Sequence, residues 1–231
     1  MLTIGVADPP LAGVGLYQAH WIDARTIAWP TSLLPAGADP ASLTWRLHHA
    51  PDGSLEIEDG AVVGGEVADL ALDPAGLSAA QLLRFPALDG YLDLRAGALD
   101  RGLVEAWLTG ELLVGQYDGD GVASAITGVQ IPGVIDDLFA EAAADRDLGA
   151  TWKSNRPSLA LWAPTAQAVD LLLWLGADTS VEPQRVSMVR QDDGTWTRAR
   201  PPLLEGSRVP VRGHRLRADH RRGRGEGHAR A

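Results

Sequence analysis

The stretch that most constrains the fold is SLALWAPTAQAVDLLLW, Ser158 to Trp174. Large apolar residues alternate with other residues on both sides of Pro164, a period of two that points one set of side chains into a core. Proline cannot donate to a strand ladder and favours an extended conformation at Ala163, so the first strand must end near Trp162. The stretch therefore predicts two β-strands separated by a turn.

Three motifs in a fixed order give the chain a family resemblance. The segment LGATW, Leu148 to Trp152, together with the stretch above resembles the opening of a family 48 carbohydrate-binding-module β-sandwich, including its first hairpin. Upstream, QAHWIDARTIAWP from Gln18 and GVQIPGVIDDLFA from Gly128 are similar to the start and end of the domain that precedes this module in pullulanases and limit dextrinases. The resemblance extends from Gly15 to Pro202.

The resembled family consists of glycoside hydrolases, α-1,6-glucosidases that cleave branch points in starch, glycogen or pullulan. The resemblance implies an α-glucan partner and a mainly β fold with two immunoglobulin-like β-sandwich type domains and short helices. We expect a β-rich first domain over residues 1–146 and an incomplete carbohydrate-binding-module-like sandwich over 147–202. A disordered basic tail is expected over 203–231.

Catalysis is not expected of this chain alone. Glycoside hydrolysis needs two carboxyl groups held about 5 to 10 Å apart, and the family holds them on a (β/α)₈ barrel, which takes at least roughly 200 residues. Far fewer residues follow Trp174. The resemblance therefore predicts a non-catalytic N-terminal fragment, with no catalytic residue assigned, whose parent enzyme supplies the missing catalytic barrel.

Aromatic rings are the expected glucan-binding groups, because the C–H face of a sugar ring packs against an aromatic face. The candidates in the second domain are Trp174, Trp196 and Trp162, and Trp174 is the one expected to carry any binding. Core packing is preferred to a binding platform for all three, since tryptophans in β-sandwiches mostly fill volume. The same two interpretations apply to Trp21 and Trp29 of the first domain, where core packing is again preferred. Glucan binding is expected to be weak at most.

Local patterns predict further elements of the first domain. LTWRLHHAPDGSLEIE, Leu43 to Glu58, predicts a hairpin with its turn at the PDG run. DRGLVEAWL predicts a short helix capped by Asp100. The DGDG run from Asp118 lacks the glutamate that ends a calcium loop, so a hairpin turn is preferred there. A helix is predicted from Val134 to Arg146 as a link between the domains.

Metal and cofactor chemistry is not indicated. His48 and His49 are adjacent, and adjacent strand residues point to opposite faces, so the pair cannot ligate one ion from the same ladder. The chain has no cysteine, which excludes disulfides, a thiolate nucleophile and cysteine-built zinc sites. Phosphate-loop, G-x-S-x-G and HExxH motifs are missing too. We therefore expect no cofactor and no metal.

Charge is distributed unevenly along the chain. The formal net charge is −10, yet residues Leu203 to Ala231, the basic tail, contain eight arginines and three acidic residues. The acidic body repels nucleic acid, and a neutral glucan needs no steering field. A nucleic-acid-binding protein acting through the tail and a free-standing glucan-binding module remain as alternatives.

The genetic code offers another interpretation of the basic tail. If the codons of Val209 to His220 are read one base later, the permitted strings include Tyr-Leu-Tyr-Glu-Val-Thr-Val-Tyr-Ala-Pro-Thr. That string resembles the strand that the family places after its GTW hairpin. A frame-shifted tail is therefore preferred to a functional nucleic-acid arm.

The N-terminus MLTIGVADPP lacks the charged segment and apolar core of a signal peptide. No apolar run approaches the roughly 20 residues that span a bilayer. A cytoplasmic location is expected by default and no membrane partner is expected, although the enzymes resembled are often secreted.

Overall fold

The residues described by the computed structural model are 11–153, 156–174, 178, 180–199 and 215–218. They belong to two units, Met1–Val134 and Ile135–Ala231. Short strands dominate both units and the helices are short, which confirms the mainly β fold. No helix within these ranges is both long and apolar enough to cross a membrane. The domain boundary expected after residue 146 stays a prediction.

The described strands of the first unit are β1 Tyr17–Asp23, β2 Thr26–Trp29, β3 Thr44–Ala50, β4 Glu56–Glu58, β5 Ala61–Val63, β6 Glu66–Asp73, β7 Leu92–Arg95, β8 Glu111–Tyr117 and β9 Ala123–Gln130. All except β4 and β5 join one closed barrel in the order β1-β2-β7-β6-β3-β8-β9. Neighbours run antiparallel, apart from the parallel pair β1 and β9 that closes the ring. Closure pairs both edges of the sheet.

Three indoles fill the barrel interior. Trp21, Trp29 and Trp45 are almost fully buried, and the register places Trp21 opposite Ile27 and Trp45 opposite Gln116 on the inner face. Core packing of Trp21 and Trp29 is therefore confirmed. A β-sandwich is expected for this domain, and the structure shows one continuous sheet closed into a barrel around these rings. Closure of the sheet buries all three rings from every side.

A second, smaller core lies on the outside of the barrel, under the segment between β6 and β7. This segment contains helix α1, Ala79–Arg84, and a 3₁₀ turn, Pro86–Leu88. The cluster under it consists of Ile22, Ala28 and Leu88, with Leu77, Phe85 and Tyr91 packed against them. Helix α2, Arg101–Trp107, begins after Asp100, whose carboxylate accepts the Leu103 amide at 2.8 Å. The predicted cap is confirmed.

The hairpin predicted over Leu43 to Glu58 is wrong. Its turn is present after β3, but β4 pairs with β5, while β3 pairs with β6 and β8. The physical reason lies at Asp59 and Gly60, which have φ values of 47° and 77°. Two consecutive positive φ angles make the tight turn that suits a two-residue hairpin, so β4 is joined to the next strand. The hairpin predicted around the DGDG run is confirmed as β8 and β9.

The predicted linking helix is confirmed as three consecutive helical segments. They are α3 Pro132–Ile135, a π-helical turn Asp136–Ala140, and α4 Glu141–Ala143.

The described strands of the second unit are β10 Gly149–Lys153, β11 Arg156–Trp162, β12 Val169–Leu173, β13 Gln184–Ser187, β14 Val189–Arg190, β15 Thr195–Ala199 and β16 Arg215–Ala218. One sheet has the order β10-β11-β15-β14 and the other β13-β12-β16. Leu159 and Trp196 from the first sheet share a core with Val169, Leu171 and Val186 from the second. This is the packing of a two-sheet sandwich.

The two strands predicted around Pro164 are confirmed as β11 and β12, but they do not form a hairpin. β11 pairs with β10 and β15, whereas β12 pairs with β13 and β16. The turn closed by the Ala166 amide on the Ala163 carbonyl, at 3.1 Å, carries the chain from one sheet to the other. A proline turn ends one ladder without specifying the partner of the next strand.

Within the basic tail, Arg215–Ala218 depart from the expected disorder by forming β16. This strand pairs antiparallel with β12 and places Leu216 opposite Leu171. Pairing along a strand uses backbone groups, so an arginine-rich sequence without proline can occupy the edge of β12. Residues 200–214 and 219–231 lie outside the described residues, and disorder of the tail stays a prediction there.

Candidate functional site

Trp174 follows β12 at the surface of the second sheet. It continues the alternation of Asp170 and Leu172, which face away from the core that contains Leu171 and Leu173. The indole is half-buried, and its Nε1 donates to the carbonyl of Val181 at 2.9 Å. One edge of the ring is therefore held by the backbone, while part of the ring stays open to solvent.

Polar groups occupy the same outer face as Trp174, further along β12 and on the neighbouring strand β13. Arg185 of β13 is opposite Leu172 in the register, and its Nη1 lies 3.8 Å from Asp170 Oδ2. Ser187 Oγ donates to Asp170 Oδ1 at 2.9 Å. Since Arg185 is well exposed, its remaining donors can reach a ligand hydroxyl. We call Trp174, Asp170, Arg185 and Ser187 the Trp174 face.

Trp196 does not contribute to such a surface. It is only 7% exposed, belongs to the core cluster between the sheets, and donates from Nε1 to the Ala163 carbonyl at 2.9 Å. The structure therefore corrects the sequence analysis, in which Trp196 is a sugar-binding candidate. The residues on either side of Trp196 alternate in β15 as those before Trp174 do in β12. The side chain of Trp196, however, is on the face of its sheet that points into the core.

Trp162 lies at the end of β11, on the face of its sheet that turns away from the core residue Leu159. It is half-buried and donates from Nε1 to the Asp193 carbonyl at 3.2 Å. The three sequence candidates therefore do not form one platform. Trp196 is inside the sandwich, and Trp162 and Trp174 lie on the outer faces of different sheets.

Trp152 is a candidate that the sequence analysis missed. It is 49% exposed, the largest exposed fraction among the eight tryptophans, and lies opposite Pro157 on the edge strand β10. Its parity matches Ala150, which is opposite the buried Leu159, so the alternation alone assigns it to the core. The signal that could have found it is its place at the end of a short edge strand.

Asp193 organises the turn before β15. Its Oδ1 accepts the amide of Thr195 at 3.0 Å and the hydroxyl of Thr195 at 2.5 Å, while Oδ2 pairs with Arg146. Burial alone would raise the pKa of Asp193, but these hydrogen bonds and the guanidinium outweigh it and hold the pKa below its usual range. The carboxylate is engaged in structure on all sides.

Asp93 is the carboxyl group whose pKa is raised among the described residues. It is fully buried on β7 and lies 2.7 Å from Arg95 Nη2, while burial raises its pKa to about 6. A raised pKa suits a general acid, yet a carboxyl without exposed surface cannot reach a polysaccharide. Asp73 shares the same guanidinium at 3.0 Å, so this group is an internal ion pair of the first unit.

The two adjacent histidines point in different directions. His48 Nε2 is 2.8 Å from the Tyr117 hydroxyl, whereas His49 stacks on Trp107 with ring centroids 5.1 Å apart. Burial lowers the pKa of His48 to about 4, with Arg46 adding to the shift. In the part of the chain that the structure describes, no group of three or more potential ligands could hold a metal ion.

Comparison with known families divides the chain into two matched regions. Residues 16–137 match the Pullulanase N2 domain, and residues 147–223 match Carbohydrate-binding module 48, also described as the isoamylase N-terminal domain. The second match includes β16.

Curated relatives carry the same description. A pullulanase of Klebsiella pneumoniae is 32% identical over 187 residues, which are 80% of this chain and 16% of that protein. Pullulanase 1, chloroplastic, of Arabidopsis thaliana is 27% identical over 183 residues, 78% of this chain and 17% of that protein. The chain thus spans about a sixth of the length of these relatives.

Solved structures agree in fold. PulA from Klebsiella oxytoca superposes with a TM-score of 0.68 and 28% identity, covering 81% of this chain and 17% of that one. Klebsiella pneumoniae pullulanase complexed with maltotriose gives a TM-score of 0.68 and 27% identity, covering 81% and 17% respectively. With a family match over more than half of its residues, the chain belongs to the pullulanase N2 domain family and carries a carbohydrate-binding module 48 domain behind it.

Proposed function

We propose that the chain is the non-catalytic N-terminal part of a pullulanase-type α-1,6-glucosidase and binds α-glucan weakly through the Trp174 face. The family descriptions and the names of the relatives support the substrate class. The observation that carries the residue assignment is the anchored, partly open indole of Trp174, with the exposed Arg185 on the same outer face of the sheet.

The Trp174 face suits a neutral polysaccharide for two reasons. An indole face accepts the C–H face of a pyranose ring, and Arg185, Asp170 and Ser187 supply donors and acceptors for hydroxyl groups.

Weak binding follows from the shape of this face. Tight small-molecule sites bury most of the ligand in a concave pocket, whereas a single half-buried ring on a sheet covers one side of one sugar. A polymer partly offsets this weakness, because many equivalent sugar units can bind to the same face.

The proposed non-catalytic role is supported by the carboxylates. Asp93 and Asp193, the buried acidic residues of the described ranges, are held by Arg95 and Arg146. Each has a structural partner, and neither has the exposed surface that an acid or nucleophile needs to meet a glycosidic bond.

Native electrophoresis in gels containing glycogen tests the proposal. The full chain should migrate more slowly as glycogen increases, and Trp174→Ala should raise the apparent dissociation constant about fivefold or more. Val189→Ala is the control, because it truncates an exposed apolar side chain of the same unit on the other sheet.

Two outcomes would contradict the proposal. If glycogen retards Trp174→Ala as strongly as the parent, the Trp174 face does not bind glucan. Migration of the full chain unaffected by glycogen or amylopectin at every concentration would remove glucan binding altogether.

A further inference from the structure

Tyr17 presents an open aromatic ring on the outside of the barrel of the first unit. Its side chain is 64% exposed at the start of β1, where it pairs with Gly128 of β9 in the parallel contact that closes the barrel. Tyrosine combines a large apolar ring with a polar hydroxyl, so an exposed tyrosine can stack on a ligand and exchange a hydrogen bond with it.

Gly128 lies directly under this ring. A Cβ atom built on Gly128 would lie 2.5 Å from Tyr17 Cδ1 and 2.7 Å from Cε1, so the phenol lies directly on the glycine backbone. One face of the Tyr17 ring therefore packs against the backbone, and the rest of the ring is exposed to solvent. A ring held in place in this way loses little conformational entropy when a ligand stacks on it.

Two polar side chains share this face of the barrel with the ring. Gln130 is two residues after Gly128 and so shares its face of β9, and His20 is opposite Gln130 in the register. Gln130 Nε2 donates to the Tyr17 carbonyl at 2.7 Å and lies 3.3 Å from His20 Nε2. Since an amide nitrogen can only donate, His20 Nε2 accepts and the ring proton is on Nδ1.

His20 is neutral at neutral pH, since burial lowers its pKa below the usual value. Its ring also meets the edge of Tyr91, with centroids 5.8 Å apart and an interplanar angle of 78°. We call Tyr17, His20, Tyr91 and Gln130 the Tyr17 strip.

The chemistry of the Tyr17 strip matches an uncharged polyhydroxyl ligand. Its members supply an open ring face, an amide, an imidazole and phenol hydroxyl groups, so both donors and acceptors are present. None of the four carries a formal charge at neutral pH, so an acidic or basic ligand would find no counter-charge among them. A neutral sugar chain needs none.

We propose that the Tyr17 strip is a second α-glucan-binding site, on the barrel of the first unit and separate in residues from the Trp174 face. The nature of the ligand rests on the proposed function, whereas the site itself rests on the geometry of Tyr17, Gly128 and Gln130. Two weak sites on one chain increase the retention of a polymer beyond that of either site alone.

The test uses the full chain and glycogen gels, with maltoheptaose as a soluble competitor. Tyr17→Ala should raise the apparent dissociation constant about fivefold, in the parent and in the Trp174→Ala variant alike. Tyr17→Phe should bind like the parent, because the ring face is retained. Gly128→Ala should weaken binding while keeping the tyrosine, because the added methyl group displaces the ring. Val67→Ala, which truncates an exposed apolar side chain of the same unit, is the control.

The outcomes separate the two proposals. If Tyr17→Ala binds glycogen like the parent while Trp174→Ala loses retention, the Tyr17 strip is not a site and the proposed function stands. If Tyr17→Ala loses retention and Trp174→Ala does not, the strip stands and the Trp174 face fails. Loss of retention in Val67→Ala equal to that of Tyr17→Ala would overturn the strip, and unchanged thermal midpoints in all variants exclude unfolding as the cause.

Discussion

Trp29 Nε1 donates a hydrogen bond to Gln116 Oε1 at 2.9 Å inside the barrel. Gln116 Nε2 donates in turn to the Leu33 carbonyl at 3.2 Å and to Ser124 Oγ at 2.8 Å. Gln116 is fully buried, so these three contacts satisfy an amide that would otherwise be costly in the core. They connect β2, β8, β9 and the 3₁₀ turn Thr31–Leu33.

Gln116→Leu should therefore destabilise the first unit by about 2 to 4 kcal/mol, since it leaves the Trp29 donor and the Leu33 acceptor buried without their partner. Urea unfolding followed by tryptophan fluorescence measures the change. Ser124→Ala is the milder control, with about 1 kcal/mol expected because it removes a half-buried hydroxyl that accepts from Gln116 Nε2 and donates weakly to the Gln116 carbonyl. Equal unfolding midpoints for Gln116→Leu and the parent would show that the network contributes nothing.

Asp93 should make the stability of the first unit depend on pH. Its pKa in the folded chain, raised to about 6 by burial, exceeds its ordinary value of 3.8. A carboxyl that binds its proton more tightly when folded stabilises the fold at low pH, and this contribution is lost as the pH rises through about 6. Between pH 8 and pH 5 the gain should be on the order of 1 kcal/mol.

Asp93→Asn should remove this dependence and make the first unit more stable than the parent at pH 8, with Arg95 still paired to Asp73. Thermal unfolding at pH 5, 6, 7 and 8 measures the difference between variant and parent. Asp69→Asn is the control, because it removes an exposed carboxylate of the same unit and relieves no buried charge, so no stabilisation at pH 8 is expected. A difference between Asp93→Asn and the parent that does not change with pH would contradict the assignment.

Among the acidic residues of the second unit, Asp193 should contribute most to the stability of that unit. Asp193→Ala removes the acceptor of the Thr195 amide and hydroxyl and leaves Arg146 without its carboxylate, so we expect a loss of about 2 kcal/mol. Arg146→Gln should cost less, because its side chain is half exposed and solvent screens the pair. Chemical unfolding of the two variants compares them, and a larger loss for Arg146→Gln would reverse this ranking.

The sequence specified local structure better than pairing. The Asp100 cap, the DGDG hairpin and the strands around Pro164 each depend on a few neighbouring residues, and the structure contains all of them. The partner of β4 depended on the tight turn at Asp59 and Gly60, which competes with the PDG turn and is equally local. Two nearby turn signals cannot be ranked by propensity alone.

The candidate site shows the same limit. Alternation distinguishes two faces of a strand but does not say which face the rest of the fold covers. Trp196 and Trp174 are therefore equivalent in sequence and different in burial. The Tyr17 strip depends on the parallel pairing of β1 with β9, a contact between residues more than a hundred positions apart that no local pattern specifies.

The origin of the basic tail can be decided by the nucleotide sequence from Pro201 onward. We expect that restoring one base opens a frame that encodes a tyrosine-rich strand over the codons of Val209 to His220 and continues into a catalytic barrel. β16 shows that the edge of β12 accepts a strand in this region. A stop codon within a few positions of Val209 in every other frame would make the tail genuine.

Release of reducing sugar from pullulan decides whether the chain is non-catalytic. We expect none above the blank when the chain is purified by ion exchange and then by size exclusion, because the buried carboxylates Asp93 and Asp193 are held by arginines and neither is exposed to a polysaccharide. A parallel glycogen gel shows that the same preparation is folded and binds. Turnover of pullulan that elutes with the chain through both columns would contradict the non-catalytic role.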